Sequence, residues 1–160
     1  MIYITGDIHG DFSRFKSPLL RKLKKNDALI VCGDFGFIWE GTQAERKILK
    51  KIGKLPYNVL FVEGSHDNYD LLESYPVEEW CGGKTRPISG RLRQLMRGQV
   101  FNIAEKTVFA FGGGQSDDMV DLIEGENWWK CEIPSEHELE EGLRNLAEAE
   151  NKVDFVVTYE

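Results

Sequence analysis

Three times, this chain writes a short apolar, β-rich run that stops at a glycine or an acidic residue and is followed by residues able to do chemistry. IYIT (2–5) runs into GDIHG (6–10), ALIVC (28–32) into GDFG (33–36), and NVLFV (58–62) into GSHD (64–67). Short continuous runs rich in Val, Ile and Leu read as buried strands, and parallel strands need a crossover between them. The start of one crossover helix is visible between the second and third runs. Thr42 and Glu45 have the spacing of a capping box, and Ala44, Ile48, Leu49 and Ile52 fall on one helical face. Alternation of this kind predicts an α/β fold.

Beyond residue 90 the pattern changes. QVFNI (99–103) and TVFAF (107–111) are separated by AEK, too short for a helix and right for a hairpin, so a second sheet is expected to begin there. Ser135 and Glu138 open a further helix with Leu139, Leu143 and Leu146 on one face, and VDFVVT (153–158) follows as a last strand. No repeat, low-complexity tract or linker divides the sequence, which predicts one domain over residues 1–160. GGKTRP (82–87) reads as a loop and lacks the spacing of a phosphate-binding P-loop.

Composition narrows the function classes. No apolar run approaches the ~20 residues of a membrane span, and MIYITGD enters a strand with no signal-peptide pattern before it, so a cytoplasmic location is expected. Cys32, Cys81 and Cys131 have no C-x-x-C spacing and are expected to be reduced and structural. Charge is unevenly spread: residues 1–55 carry 11 Lys/Arg against 6 Asp/Glu, whereas residues 112–160 carry 3 against 14. The acidic third argues against nucleic-acid binding; it reads as a solvated face or as a surface for a basic protein partner.

In an open α/β sheet the loops after parallel strands face one crevice, so Asp7, His9, Asp34 and His66 are expected to converge. Carboxylate oxygen mixed with imidazole nitrogen suits Mn²⁺, Fe or Zn²⁺. One Asp-x-His in a turn would be read as a capping pair. Three such segments in order, each at a strand end, predict a metal site.

The run GDIHG, GDFG, GSHD resembles the calcineurin-like metallophosphoesterases, whose pattern is GD-x-H-G, GD-x and GN-H-[DE], then a glycine-rich turn, a strand ending in His, and G-H-x-H. SYPVEEWCGGK, LMRGQVF, FAFGGGQS and WWKCEIPSEHELEEGLRNL are similar to the small bacterial and phage members. The resemblance implies a shortened sandwich of two mixed β-sheets flanked by helices. It also implies phosphoester hydrolysis aided by two metal ions, with Asp7 and His9 on the first, Asp34 bridging both, His66 assisting the transition state or leaving group, and Asp67 orienting His66. Gly112 to Gly114 match the family's glycine turn, although a tight turn after a hairpin strand explains them equally well.

Two positions depart from that pattern. Ser65 replaces the Asn that ligates the second metal, and Tyr159 stands where the final strand carries His, with a phenol that stays protonated near neutral pH unless a metal perturbs it. No G-H-x-H occurs up to residue 160. The expectation is therefore at most one divalent ion, held weakly, and little or no turnover. With it goes a role in binding another protein or a second copy through an exposed sheet edge or the acidic third, for which a phage-encoded inhibitor of host defence is one setting. Trp128 and Trp129 beside that acidic stretch are interaction candidates. The alternative expectation is an active phosphomonoesterase or phosphodiesterase whose dinuclear site is completed by an oligomer or by unusual ligands.

Overall fold

The protein is described here from a computed structural model covering residues 1–115 and 121–159; Ser116, at the end of FAFGGGQS, and Glu160 lie outside the described residues. The three apolar runs form parallel neighbours β1 (Ile2–Thr5), β2 (Ala28–Cys32) and β3 (Asn58–Val62). Helix α1 (Gln43–Ile52) joins the last two, and both bonds of the Thr42/Glu45 capping box are present. After β3 come a short α2 (Tyr69–Glu73) and the strands β4 (Glu78–Trp80), β5 (Gly83–Ser89) and β6 (Leu92–Leu95). They extend the first sheet to the order β1-β2-β3-β6-β5-β4, with β6 parallel to β3 and β4 and β5 antiparallel. GGKTRP is thus largely strand β5 rather than loop. Pro87 hid it, and the register shift between Pro87 and Ser89 is how the ladder accommodates a residue that has no N–H to give.

The second sheet begins where the hairpin predicted it. β7 (Gln99–Ile103) pairs antiparallel with β8 (Lys106–Phe111), and β9 (Phe155–Thr158) joins β8 in parallel at the sheet's edge, leaving Val156 62% exposed. The central strands of the first sheet are buried on both faces. Leu29, Val31, Val59 and Phe61 point toward α1 and the 3₁₀ turns at 12–16 and 18–22, while Ala28, Ile30, Leu60 and Val62 meet Phe101, Val108, Ala110 and Val157 of the second sheet. This architecture, two mixed sheets flanked by helices, is the expected one.

Helix α3 (Glu136–Glu148) starts at the Ser135/Glu138 capping box, as read from the sequence, but its buried face differs. Leu139 and Leu143 are exposed, whereas Gly142 packs against Gly98 and Asn145 donates to the Gly98 carbonyl at 2.6 Å. A glycine-on-glycine contact brings the backbones closer than leucines could, which turns the leucine stripe outward. No helix among the described residues is long and apolar enough to cross a membrane.

Candidate metal centre

The loops after β1 and β2 are locked together before any side chain acts. The N–H groups of Ile8 and His9 both donate to the Asp34 carbonyl (3.2 and 3.0 Å), and Gly10 N–H donates to the Phe35 carbonyl at 3.1 Å. His9 and Asp34 occupy the left-handed region, φ 41° and 44°, unusual for residues other than glycine. The loops approach so closely that a Cβ on Gly36 (φ +69°) would fall 2.7 Å from the backbone of His9 and Gly10. The glycines of the motifs are thus required by this contact.

Asp34, 2% exposed, is the centre of the site. Its Oδ1 accepts from the His66 backbone N–H at 2.9 Å; its Oδ2 faces His66 Nδ1 at 3.0 Å, His9 Nε2 at 3.7 Å and the Tyr159 hydroxyl at 3.1 Å. Asp7 Oδ2 lies 3.8 Å from His9 Nε2, and the His9 and His66 rings meet edge to face with centroids 5.2 Å apart. His9, Asp34 and His66 each offer a donor atom within 4.8 Å of the others, a spacing that fits one metal ion. The strand-end pattern has Asp7, His9, Asp34 and His66 converge, and the resemblance makes ligands of Asp7, His9 and Asp34 alone; the structure gathers His66 with His9 and Asp34 and sets Asp7 at the rim, beside His9.

Ser65 and Tyr159 meet on the other side of Asp34. The Ser65 Oγ lies 2.9 Å from the Tyr159 hydroxyl and 3.1 Å from His66 Nδ1. Burial pushes the Tyr159 phenol up, the Ser65 hydrogen bond opposes this, and the charge and hydrogen bond of Asp34 reinforce it. The phenol therefore stays protonated at neutral pH and donates its hydrogen to Asp34. Gly33 (φ +80°) makes room for the tyrosine, since a Cβ there would fall 1.9 Å from Tyr159 Cδ2.

Asp67 is placed differently from the role the resemblance implies. Its carboxylate does not bond the His66 ring; it accepts from the N–H groups of Gly36 (2.9 Å), Gly64 (3.0 Å) and Phe35 (3.3 Å), stapling the β3 loop to the β2 loop. Full burial pushes its carboxyl up to about 7, the three N–H donors hold it down, and Asp34 adds a smaller upward push. The ring of His66 is oriented by Asp34 and Ser65 instead. Trp129 is likewise corrected: at 4% exposed it is part of the core, its Nε1 donating to Asp70 at 2.9 Å, so it cannot anchor a partner. Trp128 is half-buried and His137 exposed. Burial, then the Asp7 charge, pushes the half-buried Cys32 thiol up, away from a reactive thiolate.

A buried ion pair behind the site was not read from the sequence. Glu63, at the end of the third apolar run, is buried, with Oε1 2.6 Å from Arg97 Nε and Oε2 accepting from Gln94 at 2.8 Å. Gly112 and Gly113 pack onto its backbone, with Gly113 N–H donating to the Glu63 carbonyl at 2.8 Å. A buried acid after a β-strand was the available signal, but its partner is 34 positions away.

Three strand-end loops thus present a carboxylate and two imidazoles as one candidate metal site, the arrangement a metal-dependent phosphoesterase needs. The chain matches the calcineurin-like phosphoesterase family over residues 1–159 and belongs to it, and membership implies use of a divalent metal. It is 42% identical over 67 residues to a symmetrical bis(5'-nucleosyl)-tetraphosphatase from Wigglesworthia glossinidia brevipalpis, a match covering 41% of this chain and 24% of that relative. The matched region thus spans about a quarter of that curated relative's length. Among solved structures, a protein of unknown function from Aquifex aeolicus is similar with a TM-score of 0.43 and 17% identity, over 98% of this chain and 76% of that one.

Proposed function

We propose that this protein is a phosphoester-binding metallophosphoesterase working with a single divalent ion, and that it turns phosphoesters over slowly. The observation that carries this reading is the convergence of His9, Asp34 and His66 donor atoms within 4.8 Å, against a second side of Asp34 closed by Tyr159 and Ser65. A divalent ion bound there supplies positive charge opposite the phosphoryl oxygens. His9, Asp34 and His66 would hold it, with Asp7 beside His9 at the rim. The His66 ring, with Nδ1 3.0 Å from Asp34 Oδ2, would supply the third donor. A serine hydroxyl and a protonated phenol are poor ligands for a second ion, which supports slow turnover. The relative's hydrolysis of a nucleoside polyphosphate supports the phosphoester class and leaves the substrate of this chain open to test.

Calorimetric titration of chelator-stripped protein with Mn²⁺ tests the reading, with Asp34→Asn as the control. One site per chain, lost in the variant, is the expected result, together with weak hydrolysis of generic phosphoesters that chelation removes. Two tight sites and rapid turnover would overturn it.

A further inference from the structure

We propose that Trp39 forms a stacking wall at the mouth of the metal centre, so that the site favours phosphoesters carrying a planar aromatic ring over those carrying an aliphatic group. This rests on the reading of the centre as a phosphoester site and assigns its substrate class. His9, Gly36, Trp39 and His66 line a cavity of about 150 Å³. That is well under the roughly 300–1,000 Å³ that encloses a drug-sized ligand. A phosphoryl group beside the two imidazoles would take most of it, so the organic part of the substrate has to lie at the rim, where Trp39 stands.

Trp39 is half-buried, and the structure fixes it from two directions. Its carbonyl accepts from Asn68 Nδ2 at 2.8 Å, and the N–H of Asn68 donates to the Ile38 carbonyl at 3.1 Å, so the loop carrying the indole is tied to the segment that carries His66. Its ring meets Trp129 edge to face, centroids 5.7 Å apart at 85°, and Trp129 is itself anchored through Nε1 to Asp70. Core packing accounts for Trp129. It does not account for a second indole that remains half-exposed and lines the cavity of the two histidines. An aromatic side chain already immobilised loses little freedom when a ligand ring stacks on it, which is the condition under which stacking contributes to affinity. None of the four lining residues is Lys or Arg, so recognition of the organic group on this side comes from the π face rather than from charge.

The test is calorimetric binding, in Mn²⁺, of AMP, phenyl phosphate and ribose 5-phosphate, which share a phosphate and differ in the ring attached. The expected result is that AMP and phenyl phosphate bind about tenfold more tightly than ribose 5-phosphate, and that Trp39→Leu brings all three within about twofold of one another. Tight AMP with weak phenyl phosphate would narrow the ring to a nucleobase. Trp39→Phe retains a π face and the contact with Trp129, and is expected to keep part of the preference; should Trp39→Leu fail to fold, the wild-type and Phe ratios still decide. Equal affinity of the wild-type protein for AMP and ribose 5-phosphate overturns the wall and leaves the phosphoester reading standing. Failure of all three to bind overturns the phosphoester reading, and the wall with it.

Discussion

A carboxylate oxygen has two lone pairs to give, and at Asp34 Oδ2 both face donors: the Tyr159 phenol at 3.1 Å and His66 Nδ1 at 3.0 Å. A metal ion binding to that oxygen has to displace one of them. A hydrogen bond to a charged group is worth about 1.5–3 kcal/mol net, so removing the phenol donor in Tyr159→Phe is expected to tighten Mn²⁺ binding by about tenfold, read as a lower Kd in calorimetry. Weaker binding in the variant would instead identify the phenol oxygen as a ligand. At this scale much of the site was legible in the sequence, because the chemistry-bearing residues sit within a few positions of strand ends that the apolar runs mark. What was not legible was direction. Asp67 follows His66 in the chain yet turns its carboxylate to the N–H groups of Phe35, Gly36 and Gly64, and Trp129 is buried by contact with Trp39, 90 positions away.

Elements with a strong apolar signal were found, and those without one were missed. β4 to β6 contain Glu, Lys, Arg and Pro, because β4 and β5 lie toward the sheet edge, where alternate residues face solvent and the run of apolar side chains that marks a central strand is unnecessary. The join between β8 and β9 shows how an edge strand is held by one side chain. Asp154 accepts from Lys106 Nζ (2.8 Å) and from the N–H and hydroxyl of Thr107 (2.8 and 3.0 Å), and its own N–H donates to the Thr107 carbonyl at 2.9 Å. Lys106 first, and then the two Thr107 bonds, pull its carboxyl down to about 2. A carboxyl depressed in the folded state stabilises where it is ionised, so its contribution is complete above its ordinary value of 3.8 and disappears as pH falls through about 2. The difference in Tm between the wild-type protein and Asp154→Asn is expected to be positive at pH 5 and to shrink toward zero by pH 2, in thermal melts followed by circular dichroism. A difference that does not change with pH would mean that the hydrogen bonds, not the charge, hold β9.

The two sheets and α3 meet at a buried charged cluster behind the metal centre. Arg97, between β6 and β7, pairs through Nε with Glu63 at 2.6 Å, reaches Glu138 of α3 through Nη1 at 3.3 Å, and donates through Nη2 to the Tyr69 hydroxyl and the Glu132 carbonyl at 3.3 and 3.2 Å. Tyr69 in turn donates to the Gly64 carbonyl at 3.1 Å, at the start of the loop that carries His66. The second sheet is thereby tied to the site through side chains drawn from four separate parts of the sequence, which no local pattern records. Because Glu63 and Arg97 are both buried, removing one strands the other. Arg97→Ala is expected to cost about 3–5 kcal/mol, and at about 2–4 °C per kcal/mol for a chain of this size Tm falls by roughly 10 °C. Replacing both, Glu63→Gln with Arg97→Met, removes the stranded charge and keeps most of the volume, so the double variant is expected to melt well above Arg97→Ala. Denaturant unfolding of the double variant and of its two single changes, Glu63→Gln and Arg97→Met, measures the coupling directly. If the double variant is as unstable as the sum of its single changes, the pair is not coupled, and the sheets are held together by the apolar layer of Ile30, Leu60, Phe101 and Val108 instead.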